Sequence, residues 1–106
     1  MSREKERDSQ ELMRILIQPP KFEAGQIVST PKALECVDRK EIQQALKRHL
    51  KGDWGDLHED DKEANDLALE SGDRLLSAYE SKSGETFWII TEADRSVTTV
   101  LMPDDY

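Results

Sequence analysis

The chain has 106 residues; 36% are hydrophobic, 36% are charged, and 15 Lys/Arg against 23 Asp/Glu leave a net charge of −8. That length bounds one domain with a single small core, and no apolar run is long enough to cross a bilayer. The one cysteine, Cys36, has no partner for an internal disulfide; with no apolar leader pattern in the first ten residues, the expected compartment is a bacterial cytoplasm.

Residues 1–10 are charged and lack apolar periodicity. From Gln10 to Ile17 the residues Leu12, Ile15 and Leu16 recur at helical spacing, and Pro19-Pro20 stops the pattern. The reading is a flexible tail over 1–22 with a short helix over 10–17, followed by one α+β domain over 23–106. The tail helix has two uses: covering a face of its own sheet, or docking a partner.

Gln26–Ser29 reads as a short strand. Thr30-Pro31 pairs an N-cap with proline at the first helical position and opens one helical turn that runs to Val37. Asp38 followed by Glu41 resembles a capping box for a helix over 39–51, which Gly52 ends. Ile42, Ala45, Leu46, His49 and Leu50 form its inward stripe. Asp53–Leu57 is a linker in which Trp54 is expected to plug the space under the loop. A second helix over 59–71 is expected to turn Ala64, Leu67 and Ala68 inward.

The last third is rich in β-branched and aromatic residues. Leu75–Glu80, Thr86–Thr91 and Val97–Met102 are separated by two short polar turns, which implies an antiparallel meander over about 74–102. The middle run is apolar on both faces: Phe87 and Ile89 on one, Trp88 and Ile90 on the other. The expected order is βααβββ: a three-stranded meander plus the strand at 26–29, packed against two helices. A sheet with two apolar faces leaves a homodimer open.

Charge is concentrated. Nine acids fall between Gly52 and Asp73 against one Lys62. Phosphate contacts need cations, so direct nucleic-acid binding by this surface is disfavoured, and a basic protein partner is favoured. The partner-binding candidates are Asp53, Asp56, Asp60, Asp61, Glu63 and Asp66, with Trp54 among them. Part of this acidity has an ordinary role, because anions stabilise a helix N-terminus. The candidates for chemistry are Glu92, Asp94 and Arg95 in the second turn, as a carboxylate pair beside a cation; a polar β-turn explains the same residues. Cys36, His49 and His58 lack zinc spacing, Asp56–Leu67 lacks the glycine and glutamate of a calcium loop, and no phosphate-binding glycine loop is present. No metal and no cofactor is therefore expected.

Over Gly25–Tyr106, the segments GQIVSTPKAL, GDWGDL and WIITEADRSVTTVLMPDDY resemble a widespread bacterial family of small plasmid-related proteins carried on plasmids and other mobile elements. The resemblance implies where such a gene sits and carries over no activity, cofactor or catalytic residue. The element order is also similar to that of the RelE-type ribosome-dependent toxins, but this chain has acids where their RNA chemistry needs bases. The expectation is a small, acidic, non-enzymatic binding protein acting on a host protein. The alternative is a small hydrolase or RNA-processing enzyme using the Glu92–Ser96 turn.

Overall fold

Strand β1 (Gln26–Ser29) leads into three helices, α1 (Pro31–Cys36), α2 (Arg39–Leu50) and α3 (Glu59–Ser71), and then into β2 (Leu75–Glu80), β3 (Thr86–Thr91) and β4 (Val97–Leu101). A 3-10 turn over Pro103–Asp105 follows. The computed structural model describes residues 19–106, so the helix expected over 10–17 lies outside the described residues. Lys21 and Phe22, assigned to the tail by sequence, are engaged: Lys21 N–H donates to the Leu50 carbonyl at 2.8 Å, and Phe22 stacks near His49 and Trp54.

The sheet order is β1-β4-β3-β2. The meander β2-β3-β4 is antiparallel as expected, but β1 runs parallel to β4, with Gln26 opposite Val97 and Ser29 opposite Val100. The sheet is therefore mixed, and the fold is α+β. Period-2 alternation puts Leu75, Ser77 and Tyr79, then Phe87, Ile89 and Thr91, then Thr98 and Val100 on one face. There the core forms, with Ala33 and Val37 at the α1 end and Ile42 and Ala45 from α2. A second cluster joins Trp54, Ala68 and Leu75, with Phe22, Leu57 and Leu69 against it.

Local chemistry explains the helix ends. Thr30 Oγ1 accepts from Ala33 N–H at 3.2 Å, with Pro31 at the first helical position. Asp38 accepts from Lys40 N–H at 3.1 Å. Asp38 thus caps the N–H of the second helical residue instead of the third, and the expected capping box is not made: Glu41 accepts from Lys82 N–H at 2.6 Å. That bond ties the start of α2 to the turn between β2 and β3.

Helix α3 departs most from expectation. Leu67 is 69% exposed and Ala64 also faces solvent, while Asn65 and Ala68 are buried. The inward stripe is Asn65, Ala68 and Leu69, one position away from the apolar reading. The reason lies at the sheet edge. Leu76 N–H donates to Asn65 Oδ1 at 3.2 Å, and Asn65 Nδ2 donates to the Leu76 carbonyl at 2.6 Å. One residue pair along, Ala78 N–H donates to the Trp54 carbonyl at 3.2 Å and its own carbonyl accepts from Asp56 N–H at 2.8 Å. The amide of Asn65 and the backbone around Gly55 thus satisfy the outer side of β2 at Leu76 and Ala78. Gly55 is required there: at φ 75° it lies so close to β2 that a Cβ would fall 2.0 Å from the Ala78 carbonyl oxygen. Asn65→Ala is expected to cost about 2 kcal/mol in denaturant unfolding, because it strips two hydrogen bonds from a half-buried strand edge. A midpoint equal to wild type would refute the edge-capping role.

Candidate functional site

Among the described residues, four places gather the polar side chains and exposed apolar groups that bear on function. The first lies beneath the sheet. His49, on the inward stripe of α2, has no exposed surface, as is true of Ser77, Thr91 and Thr98. His49 Nδ1 lies 2.6 Å from Ser77 Oγ and Nε2 lies 2.9 Å from Thr91 Oγ1; Thr91 Oγ1 lies 2.8 Å from Thr98 Oγ1, which donates to the Ala24 carbonyl at 2.7 Å. A carbonyl only accepts, so the direction of every link follows from this last one. Thr98 spends its proton on Ala24, so Thr91 donates to Thr98. Thr91 then accepts from Nε2–H, and Nδ1 accepts from Ser77. The imidazole is neutral and protonated on Nε2. Burial, and secondarily the Arg95 charge, hold its pKa down at about 4. This is a Ser–His–Thr arrangement that solvent does not reach. Phe22 and Trp54 pack edge-on to the ring at 5.3 and 5.6 Å between centroids. Its role is to satisfy polar side chains in the core.

The second place is the Glu92–Ser96 turn, which brings Glu92, Asp94 and Arg95 together at the surface. Asp94 accepts from Ser96 N–H at 3.0 Å and from Ser96 Oγ at 2.6 Å, which holds its carboxyl below the usual range. Arg95 adopts φ 60° and folds inward. Its Nη1 reaches the carbonyls of Asp73 at 2.7 Å and Glu92 at 3.1 Å, and its Nη2 reaches that of Ala68 at 3.1 Å. The guanidinium also lies over the Phe22 ring at 5.8 Å. It thus binds the C-terminal end of α3, Asp73 two residues beyond it, and the β3–β4 turn. Glu92 lies 3.7 Å from Arg74. The carboxylates and the cation of this turn are committed to local structure, and the nearest imidazole, His49, is sealed below.

The third is the acidic face. Asp56, Glu59, Asp60, Asp61, Glu63 and Asp66 are exposed along the start and outer side of α3. Glu59 lies 3.7 Å from Lys62. The other candidates divide differently. Asp53 is paired with Arg48 at 2.7 Å, which lowers its pKa. Trp54 is 3% exposed and donates its indole N–H to Asp66 at 2.9 Å. It is the expected plug; as a partner-binding residue it is corrected, because almost none of its ring is accessible. Leu67, unrecognised in the sequence, stands in the outward face between Glu63, Asp66 and Glu70. The missed signal is Asn65, whose polarity hid the true inward stripe.

The fourth is the sheet face away from the helices. Tyr106 packs edge-on to Trp88 at 5.8 Å and accepts from Arg74 Nη1 at 2.6 Å. Arg74, Leu76, Trp88, Ile90 and Tyr106 line an open cavity of about 280 Å³. The C-terminal tyrosine therefore lies over the middle of the sheet.

Among the described residues, no group of three or more His, Cys, Asp or Glu is placed to hold a metal ion, and no helix is long and apolar enough to cross a membrane. No family model, no curated protein and no solved structure matches the chain.

Proposed function

We propose that this protein is a non-catalytic binding module that engages a basic protein surface through the outward face of α3. The observation that carries the reading is Leu67, 69% exposed on a helix whose neighbouring outward positions Asp60, Asp61, Glu63, Asp66 and Glu70 are acids. An apolar contact ringed by like charges matches the usual anatomy of a docking patch: the apolar residue supplies affinity and the charges supply orientation and encounter rate. The acids also disfavour nucleic acid as the ligand. The resemblance to plasmid-borne proteins supports a host protein as the partner, with a basic, nucleic-acid-facing groove as the complementary surface. The enzymatic alternative lacks such support, since the Glu92–Ser96 turn spends its side chains on the fold.

Affinity capture from a bacterial lysate at low ionic strength is expected to recover a basic protein. Raising salt is expected to release it, because exposed charges are screened beyond about 10 Å at 0.1 M. The triple reversal Asp60→Lys/Asp61→Lys/Glu63→Lys should weaken capture at least about tenfold, and Leu67→Ala should do so with little change in salt dependence. Capture unaffected by the triple reversal ends this reading.

A further inference from the structure

The two edges of the sheet are treated differently. The outer side of β2 is closed by the Asn65 amide and by the backbone on either side of Gly55. The outer side of β1 is not closed by any described residue. Gln26 N–H donates to the Ser96 carbonyl and Thr30 N–H to the Val100 carbonyl, both at 2.9 Å. Alternate residues of a strand face one neighbour, so Val28 shares the β4 side, while the N–H and C=O groups of Ile27 and Ser29 point outward. Ile27 is 50% exposed. Edge strands are normally defended by charge, proline or a bulge. Gln26–Ser29 has none of these; only its four-residue length restrains it.

We propose that β1 pairs with β1 of a second copy, antiparallel about a twofold axis through Val28, joining two four-stranded sheets into one of eight strands. The register follows from the backbone. With the axis at Val28, Ile27 lies opposite Ser29 of the second copy, and each such pair exchanges two hydrogen bonds, four in all. Moving the axis to Ile27 sets Ser29 against Gly25, which at φ 65° has left the strand conformation. Moving it to Ser29 sets Ile27 against Pro31, which has no N–H to donate. A second copy fits because the strand carries no charge, so its twin meets no like-charge repulsion at the seam. It also covers Ile27 on both subunits at once. The interaction is independent of the acidic face and has the opposite salt response: two chains of net charge −8 repel at long range, so raising salt tightens the dimer.

Two variants test this in the full chain. Ile27→Pro removes only an outward N–H, leaving the β1–β4 bonds in place. In sedimentation velocity over the micromolar to millimolar range, the wild type is expected to dimerise with concentration. Ile27→Pro should weaken this at least about tenfold while keeping the wild-type circular dichroism spectrum. In a Cys36→Ser background, Val28→Cys places the two sulfur-bearing residues at a non-hydrogen-bonded pair about 4.5 Å apart at Cα, within disulfide reach. Mild oxidation should give a covalent dimer, far faster than for Glu85→Cys in the exposed β2–β3 turn. A monomer throughout the range, a dimer that Ile27→Pro leaves intact in a folded chain, or cross-linking no faster than at position 85 overturns the proposal.

Discussion

Acidification from pH 7 to pH 4 is expected to remove about 3 kcal/mol of folding stability through His49 alone. Its pKa is about 4 in the folded protein against 6.5 when free, and each unit is worth about 1.4 kcal/mol. The folded value is the depressed one, so the unfolded chain binds the proton first. The contribution is fully present above pH 6.5 and is lost as pH falls through the folded value near 4. The structure gives the cause: a second proton on the ring meets Ser77, which already donates to Nδ1, in a site with no exposed surface and within the field of Arg95. Domains of this size have about 5–15 kcal/mol in total, so the loss is large. Urea unfolding at steps between pH 7 and pH 4 measures it, with His49→Gln as the non-titrating reference. If the wild type and His49→Gln lose stability in parallel across this interval, the imidazole is not the buried neutral group described. Asp94 and Asp105, also held below the ordinary carboxylate value, weaken the fold in the same direction at lower pH.

Removing the Arg95 side chain is expected to cost about 2–4 kcal/mol, the range for losing charged hydrogen bonds to several backbone carbonyls at once. Arg95→Ala and Arg95→Gly separate two contributions. Both lose the bonds to Ala68, Asp73 and Glu92, but only glycine relieves the left-handed backbone at φ 60°. Arg95→Gly should therefore be more stable than Arg95→Ala by about 1 kcal/mol. Thermal or urea unfolding of the three proteins gives the order wild type, glycine, alanine. A different order would mean that the turn does not need its present backbone shape. Both variants should also raise the His49 pKa, since the Arg95 charge contributes to lowering it.

The fold was legible wherever local patterning and tertiary context agree. The meander, the stripe of α2 and the strand at Gln26–Ser29 are all present. Their signals are β-branched content, short turns and a 3.6-residue period, which the final packing does not overrule. The position of β1 was not legible, because nothing in four residues says which neighbour they will find. The rotation of α3 was misread for a specific reason. Asn65 behaves as a piece of backbone, pairing like a peptide with Leu76, and a reading that sorts residues into apolar and polar turns it outward and Leu67 inward. Glu41 was misread in the same way, since Lys82 competes for its carboxylate and wins. At the candidate site the acids were visible as composition. The plugging role of Trp54 was visible too; what was not visible is that Asp53 is taken by Arg48, and that Leu67 is the apolar group left among them.

The parallel seam between β1 and β4 has a consequence for the birth of the chain. Gln26 and Val97 are partners, separated by nearly the whole domain, so the first of the described strands to be made is the last to be paired. While the ribosome delivers three helices and two more strands, Gln26–Ser29 lacks the one strand it pairs with. Closing so long a loop is entropically slow compared with folding a meander whose strands are a few residues apart. The growing chain thus carries an uncharged β segment without a partner strand until β4 has been made.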